Sequence, residues 1–201
     1  MEIFEAINGR SSVRWFKPDS VPDYVLMRLL NAAIRAPTAM AMEQWYFIVV
    51  KSDEMRKKVH DLLMEAHTFY YAQANIRSLD TSRIQELHKR FSQGMYRAPV
   101  YIVAYLDLRA QALKEEYREL EELFGVETVS AALENIALTA VSLGLGTCWI
   151  GVTNFIEKKL NAILNPPDGC KLIALMPLGY PTEEVKPRSR KKTLEAVTKI
   201  I

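Results

Sequence analysis

Residues 128–151 read TVSAALENIALTAVSLGLGTCWIG, an apolar run that passes through glycines into a second apolar run. From Thr128 to Leu143 the apolar residues occur nearly all round a helix, which predicts a helix buried on most sides, in a core or between subunits. Gly144 is a typical residue to end such a helix. The run from Thr147 to Val152 predicts a strand. This stretch therefore predicts a buried helix followed closely by a strand.

The rest of the chain continues the alternation of helices and strands. Helical patterns and their start and stop signals predict helices at 2–9, from about Pro22 to before Pro37, from Ser52 to about 66, and at 113–124. Short β-branched and aromatic runs predict strands at 45–50, 100–106 and 171–178. Because strands separated by long helical stretches pack as a sheet between helices, we expect a layered fold.

Two segments carry weaker patterns. Residues 67–97 mix aromatic, basic and polar residues without clear periodicity, and we interpret them as an excursion with some helix, which would suit a lid. The C-terminal tail, 180–201, is basic and contains prolines, and it ends on the apolar run Leu194–Ile201. An apolar terminus needs a surface to dock on, and a partner subunit is one option.

Composition predicts one soluble, cytoplasmic domain over 1–201. The 201 residues are 49% hydrophobic and 25% charged, and 26 basic against 24 acidic residues give a net charge of +2. So balanced a charge argues against nucleic acid or a membrane surface as partner. Cys148 and Cys170 lie far apart without metal-type spacing, which favours a reducing compartment. The N-terminal residues lack the pattern of a signal peptide, and no uncharged apolar run is long enough to predict a membrane span.

Two basic clusters are candidate anion sites. Arg10-Ser-Ser-Val-Arg14 follows a predicted helix and combines two guanidiniums with two hydroxyls, which suits a phosphate; a solvated basic turn is the alternative. Arg188-Ser-Arg190-Lys-Lys192 lies near the C-terminus and by itself is typical of a solvated tail. If the fold brings the two clusters together, an anion site becomes the better interpretation.

Two loops are candidate sites for a flat ligand. The glycines of Gly144–Gly151 do not follow the dinucleotide-binding pattern, and they permit either a tight turn or close approach of a ligand to the backbone beside Trp149. The loop Ala36–Gln44 contains small residues with Met40 and Met42, which suit an apolar slot, although methionines more often fill cores.

Side chains for conventional catalysis are scarce in the sequence. His60, His67 and His88 have no partner at metal-ligand spacing, so no metal site is predicted. Cys148 lies in an apolar run and is interpreted as an inert buried thiol. An enzyme without its own nucleophile needs a cofactor to carry the chemistry.

Taken in order, these segments resemble the nitroreductase (FMN-dependent NAD(P)H oxidoreductase) family over essentially the whole chain. Arg10–Arg14 resembles the family's R-R-S-x-R motif, and Ala36–Trp45 its A-P-S/T-x-x-N-x-Q-P-W segment. Gly144–Gly151 is similar to its G-L-G-x-x-W-x-G stretch, and Arg188–Arg190 to its C-terminal basic pair. Each motif alone is weak, but four in the right order are strong evidence.

The resemblance implies an α+β fold with a mixed sheet flanked by helices, in an entwined homodimer whose tail packs on the partner. It implies FMN at the dimer interface, reduced by NAD(P)H and reoxidised by a small-molecule acceptor in a ping-pong mechanism. The flavin N5 does the chemistry, beside the backbone amide of Gly151, so no catalytic side chain is assigned. The implied cofactor-binding residues are Arg10, Ser11, Ser12, Arg14, Pro37, Thr38, Ala39, Ala41, Trp149, Ile150, Gly151, Arg188 and Arg190.

The sequence departs from the family pattern in the 36–45 loop. The family's Asn, Gln and Pro fall at Ala41, Glu43 and Gln44. Substrate choice therefore stays open between nitroaromatic or quinone reduction and other flavin chemistry, such as dehydrogenation, reductive dehalogenation or flavin fragmentation. A non-catalytic flavin-binding module is a further alternative. The residues expected to line the substrate site are Met40, Glu43, Tyr70 and Tyr71.

Overall fold

The computed structural model describes residues 1–73, 81–186 and 189–201. Its helices are α1 (Ile3–Gly9), α2 (Asp23–Ala33), α3 (Asp53–Gln73), α4 (Thr81–Ser92), α5 (Arg118–Ser142) and α6 (Glu157–Leu164). Its strands are β1 (Trp45–Val50), β2 (Val100–Asp107), β3 (Gly146–Thr147) and β4 (Cys170–Gly179). Short 3-10 turns occur at Ala39–Ala41, Glu115–Tyr117 and Val152–Ile156.

The four strands form one sheet in the order β1-β2-β4-β3, and every neighbouring pair is antiparallel. A parallel relation occurs only outside these named strands among the described residues, in the bridge between Ser12 and Thr147. The predicted α+β class is therefore confirmed, and the sheet itself is antiparallel apart from that bridge.

Strand β2 separates two hydrophobic cores because alternate side chains of a strand point to opposite faces. Tyr101, Val103 and Tyr105 belong to the core beneath α3, α4 and α6. Ile102 and Leu106 belong to the core beneath α2 and α5. The sheet is thus covered by helices on both faces, which explains why β2 is apolar along nearly its whole length.

Helix α5 is one continuous helix, where the sequence predicted two separate helices at 113–124 and 128–143. Gly125 lies inside it, and a Cβ there would come within 2.4 Å of Leu106 Cδ1. The glycine therefore allows the helix to pack close to β2. By length and composition Glu115–Ser142 would also pass for a membrane span, but Val129, Leu133 and Ile136 are fully buried in the core, as in the central helix of a globular fold.

The predicted strand 147–152 is broken after Thr147, which corrects the sequence prediction. Ile150 and Leu175 exchange both backbone hydrogen bonds, each 3.0 Å long. In an antiparallel ladder the next such pair lies two residues away on each strand. That position joins Cys148 to Pro177, and proline has no N–H to donate. The ladder therefore resumes only at Gly146 and Thr147, which pair with Gly179 and Leu178.

The described parts of 67–97 are mostly helical. α3 continues through Gln73, beyond its predicted end near residue 66, and α4 begins at Thr81. Phe91 and Tyr96 are buried, with 1% and 6% of their surfaces exposed, so they anchor this region to the core. Helix α6 had no sequence prediction.

Candidate active site

The loop 10–14 is fastened to the glycine-rich stretch that follows α5. The Val13 backbone N–H donates to the Thr147 carbonyl at 2.9 Å, and Ser12 forms a bridge with Thr147. Gly146 makes this contact possible, since a Cβ there would come within 2.5 Å of the Val13 side chain. The first basic cluster and the glycine-rich stretch, far apart in sequence, therefore lie together as the family resemblance implies.

Two cavities open on either side of this loop. A cavity of about 280 Å³ is lined by Ser11, Ser12 and Arg14, with Arg90 of α4 and Lys186 across from them. A second, of about 460 Å³, runs past Ser11 towards the end of α5 and includes Gly144 and Gly146. The segment 181–185 borders both cavities. An anionic group near Ser11 and Ser12 would meet hydroxyls and the cations Arg14, Arg90 and Lys186, while Glu183 and Glu184 of the 181–185 segment add two carboxylates to the lining.

Arg10 and Arg14 have different environments. Arg10 Nε lies 3.6 Å from Glu134 Oε1 of α5, so part of its charge is already balanced. Arg14 donates to the Ser12 carbonyl and the Tyr96 hydroxyl, both at 3.1 Å. Among the described residues it has no acidic partner. A half-buried guanidinium with only neutral partners at a cavity wall suits an anionic ligand.

Residues 148–151 lie next to this loop. Cys148 is 4% exposed and burial raises the pKa of its thiol, which agrees with the interpretation of an inert thiol. Trp149 is 40% exposed and Ile150 is buried against β4. Gly151 is exposed and precedes the 3-10 turn Val152–Ile156. A Cβ at Gly151 would meet no protein atom within 4 Å, so open space lies beside this backbone.

The loop 36–43 lies elsewhere on the molecule. The Ala39 N–H donates to Thr128 Oγ1 at 3.3 Å, which places the loop near the middle of α5. The 10–14 loop lies near Val141, at the end of the same helix. Thirteen residues of helix separate Thr128 from Val141, which is about 20 Å at 1.5 Å per residue. The residues of this loop assigned to the cofactor, Pro37, Thr38, Ala39 and Ala41, are therefore not brought to the 10–14 cavities within one chain.

Three residues of this loop have positive φ: Met40 at 51°, Ala41 at 55° and Glu43 at 49°. The left-handed region is costly for residues with a Cβ. The Thr38 hydroxyl, which accepts from the Glu43 N–H at 2.9 Å, closes the loop. Met40 is 66% exposed, so this side chain does not fill the core.

Tyr70 and Tyr71, assigned to the substrate site, lie near the end of α3 and pack ring to edge with centroids 5.9 Å apart. Phe155 of the 3-10 turn lies 5.0 Å from Phe69 and 6.2 Å from Tyr70 between ring centroids. Phe69, Tyr70 and Phe155 are each at least 40% exposed. An exposed aromatic surface therefore lies four residues beyond Gly151. The structure places the substrate-site residues Met40 and Glu43 in the other loop, beside Ala41.

The described part of the second basic cluster, 189–192, does not line these cavities. Arg188 is outside the described residues, and Arg190 is exposed and does not line either cavity. Arg90 and Lys186 supply the cations there instead, and neither was predicted. Arg90 had no signal, because it lies on a helix in the segment without periodicity.

No group of three or more His, Cys, Asp or Glu residues suited to a metal ion occurs among residues 1–73, 81–186 and 189–201.

The sequence model of the Nitroreductase family matches residues 7–180. The chain therefore belongs to the nitroreductase family, as its motifs predicted. A relative from Archaeoglobus fulgidus, provisionally named NADH dehydrogenase/NAD(P)H nitroreductase, is 30% identical over 185 residues that cover 91% of this chain and 87% of the relative. Iodotyrosine deiodinase 1 of Mus musculus is 26% identical over 209 residues, covering 98% of this chain and 68% of the deiodinase.

Solved structures share the fold. A BluB-like flavoprotein from Clostridium difficile 630 has a TM-score of 0.77 at 25% identity, covering all of this chain and 99% of that one. A nitroreductase with bound FMN from Bacteroides fragilis NCTC 9343 has a TM-score of 0.72 at 21% identity, with full coverage of both chains.

Proposed function

We propose that this protein is an FMN-dependent oxidoreductase that passes hydride from NAD(P)H to a small organic acceptor such as a nitroaromatic or a quinone. The main support is Arg14, a cation without an acidic partner among the described residues, at a cavity beside the glycine-rich stretch. Membership of the nitroreductase family and the names of the relatives support the same reaction class.

The chain offers groups that fit FMN. Ser11, Ser12 and Arg14 present two hydroxyls and a guanidinium to one cavity, which suits the phosphate and the polar edge of the flavin. The open space beside Gly151 suits a flat ring lying against the backbone. Trp149 and Ile150 would flank that ring. Arg90 and Lys186, which line the same cavity as Arg14, would add positive charge at the phosphate, whereas Arg10 and Arg190 line neither cavity.

FMN, when bound, supplies the hydride and electron transfer chemistry. The protein residues bind and orient the flavin and stabilise its negative charge through fixed cations. That scheme requires no acid or base side chain, and burial raises the pKa of the Cys148 thiol, which keeps it neutral. An acceptor with an aromatic ring would find Tyr70 and Phe155 beyond Gly151.

We also propose that the active unit is a homodimer in which each FMN contacts both subunits. The 36–43 loop is anchored at Thr128 and lines neither of the 10–14 cavities, so one chain does not bring both loops to a single flavin ring. A second copy would bring its own 36–43 loop to the 10–14 cavities. The exposed apolar side chains of α1 and the tail support such an interface: Ile3, Phe4, Ile7, Leu194, Val197, Ile200 and Ile201.

A cytoplasmic location is part of the proposal, because the two cysteines are unpaired and the net charge is close to neutral. Nucleic acid and membranes are not proposed as partners.

The reductive half-reaction tests this proposal. FMN-loaded protein is mixed anaerobically with NADH or NADPH, and then with a quinone or a nitroaromatic. We expect one nicotinamide to bleach the flavin absorbance within seconds and the acceptor to restore it. Loaded protein that neither nicotinamide reduces would contradict the proposed reaction while leaving FMN binding intact.

Reductive dehalogenation of an aromatic substrate is the second candidate, favoured by the deiodinase relatives and by Ala41 and Glu43 in place of the family's Asn and Gln. That reaction replaces a carbon–halogen bond with a carbon–hydrogen bond, consuming two electrons and a proton and releasing halide. Chemically reduced, FMN-loaded protein is mixed with 3-iodotyrosine, and iodide is measured. Stoichiometric iodide with slow quinone turnover favours this candidate, and fast quinone turnover without iodide excludes it.

A further inference from the structure

We propose that Tyr96 is a positioning residue that holds the Arg14 guanidinium at the cavity, and that α3 and α4 thereby control how tightly the anionic cofactor is held. This inference rests on the proposed FMN site. It concerns a residue that the family motifs do not include and that lies in the 67–97 segment.

Tyr96 and Arg14 are joined by two hydrogen bonds that run in opposite directions. Arg14 Nε donates to the Tyr96 hydroxyl at 3.1 Å, and the Tyr96 backbone N–H donates to the Arg14 carbonyl at 2.7 Å. The side chains of the two residues, and also their backbones, are therefore fixed relative to each other. The arginine Nη1 is tied to the Ser12 carbonyl, so the remaining N–H donors have a defined direction beside the cavity.

Tyr96 is itself held rigidly. Its φ is +65°, a left-handed conformation that is unusual for an aromatic residue and persists only where the surroundings enforce it. The Tyr101 hydroxyl donates to the Tyr96 carbonyl at 2.9 Å. Only 6% of the Tyr96 surface is exposed, and this burial raises the pKa of its phenol to about 12. The hydroxyl therefore stays protonated and neutral, and its oxygen accepts from Arg14.

The ring of Tyr96 connects the Tyr96–Arg14 pair to helices α3 and α4. His67 of α3 stacks on it with ring centroids 5.1 Å apart and an interplanar angle of 29°. Phe91 of α4 packs at 5.7 Å and is fully buried. A displacement of α3 or α4 would move Tyr96 and with it the arginine, because the packed core transmits small shifts. The region expected to shape the substrate mouth thus reaches the cofactor-binding arginine.

The test is a double-mutant cycle on FMN affinity, measured by quenching of flavin fluorescence. Tyr96→Phe removes the hydroxyl and keeps the ring, and it should weaken FMN binding about threefold to tenfold, because the guanidinium loses one of the two contacts that orient it. Arg14→Lys keeps the charge and loses the Nε donor, so it should also weaken binding. If Tyr96 acts through Arg14, Tyr96→Phe changes the affinity by less than about twofold in the Arg14→Lys background.

The matched control is Tyr105→Phe. Tyr105 of β2 is buried in the same hydrophobic core as Tyr96. Its hydroxyl donates to Asn161 Oδ1 at 3.1 Å, and neither residue lines the two cavities. The Tyr105→Phe substitution should lower the free energy of unfolding and leave FMN affinity unchanged. Unfolding of each variant without FMN, followed in urea, shows whether Tyr96→Phe is folded. If that variant were unfolded, His67→Leu, which removes the ring stacked on Tyr96, would replace it in the same cycle with Arg14→Lys.

The outcomes separate the inference from the proposed function. Wild-type protein that binds no FMN overturns the proposed function. The role of Tyr96 alone is overturned by either of two results with wild-type protein that binds FMN. In the first, Tyr96→Phe binds FMN as well as wild type; in the second, Tyr96→Phe weakens FMN binding by the same factor in the wild-type and Arg14→Lys backgrounds.

Discussion

Ala41 occupies a left-handed conformation, with φ of 55°, at the position where the family pattern has Asn. Such a conformation costs a residue with a Cβ roughly 1–2 kcal/mol, and Asn tolerates it better than other non-glycine residues. We therefore expect Ala41→Asn to raise the free energy of unfolding by about 0.5–1 kcal/mol, measured in urea. Ala39→Asn is the control, because Ala39 has no positive φ. Equal effects at both positions would contradict the argument from backbone strain.

His60, which is buried, and His67, which is partly buried, predict that stability falls in mild acid. Desolvation lowers the pKa of His60 and of His67 below the ordinary value of 6.5. The unfolded chain therefore binds a proton before the folded one does. Their contribution to stability is complete above about pH 6.5 and is lost as the pH falls through the lowered pKa, by at most about 1.4 kcal/mol per histidine for each pH unit.

Urea unfolding at about pH 7.5 and 5.5 measures this loss. His67→Phe should reduce the pH dependence, because it keeps the ring contacts with Phe91 and Tyr96 and removes the titrating group. The exposed His88→Gln is the control and should leave the difference unchanged. The same pH dependence in all three proteins would contradict the assignment to His67.

At the scale of residues, the sequence predicted the motifs but not their neighbours. Ser11, Ser12 and Arg14, which the sequence assigned to FMN, line one cavity together, and their role as cofactor ligands stays a prediction. Arg90 and Lys186 across from them were not predicted, because nothing in a sequence pattern shows which distant cations converge. Tyr96 belongs to the 67–97 segment, interpreted from the sequence as an excursion, and it is instead buried against Arg14.

At the scale of elements, Gly146 fixes the distance between β3 and the 10–14 loop. A Cβ there would lie 2.5 Å from Val13 Cγ2 and 2.8 Å from Val13 Cβ, so the loop has to move. We expect Gly146→Ala to cost about 1–3 kcal/mol of stability, as overpacking does, and to weaken FMN binding. Thermal unfolding and flavin fluorescence measure the two effects.

Gly9→Ala is the control for stability, since a Cβ at Gly9 would make an ordinary contact of 3.4 Å with Val141. A Gly146→Ala variant as stable as wild type would contradict the close packing of Val13 against Gly146.

The helices and strands were predicted where a local sequence pattern determines them. They were missed where a contact with a distant segment determines where the element ends. β1, β2 and β4 and the long apolar helix follow from runs of like residues in the sequence. The break after Thr147 depends on Pro177, a residue on the opposite strand, and the continuity of α5 depends on the fit of Gly125 against Leu106. Both are contacts between distant segments, which no local pattern contains.

At the scale of the whole molecule, the apolar tail tests the proposed dimer. Leu194, Val197 and Ile200 are 72%, 61% and 93% exposed, so they contribute little to the core of a single chain. Replacing the three by serine should weaken dimerisation and FMN retention and leave the unfolding of the subunit unchanged, because only the interface loses apolar area. Sedimentation velocity measures the dimer. Thr198→Ser is the control, and an unchanged dimer in the triple variant would exclude the tail from the interface.

The central claim is that the site built by Arg10–Arg14 and Gly146–Gly151 holds FMN. The absorbance spectrum of protein purified without added cofactor, with FMN released by heat and counted per chain, tests it most directly. The account predicts flavin bands and about one FMN per chain after reconstitution, with sub-stoichiometric loading in Arg14→Ala because a charge-assisted contact is lost. A colourless protein that does not take up FMN would contradict the assignment of the site and the function proposed from it.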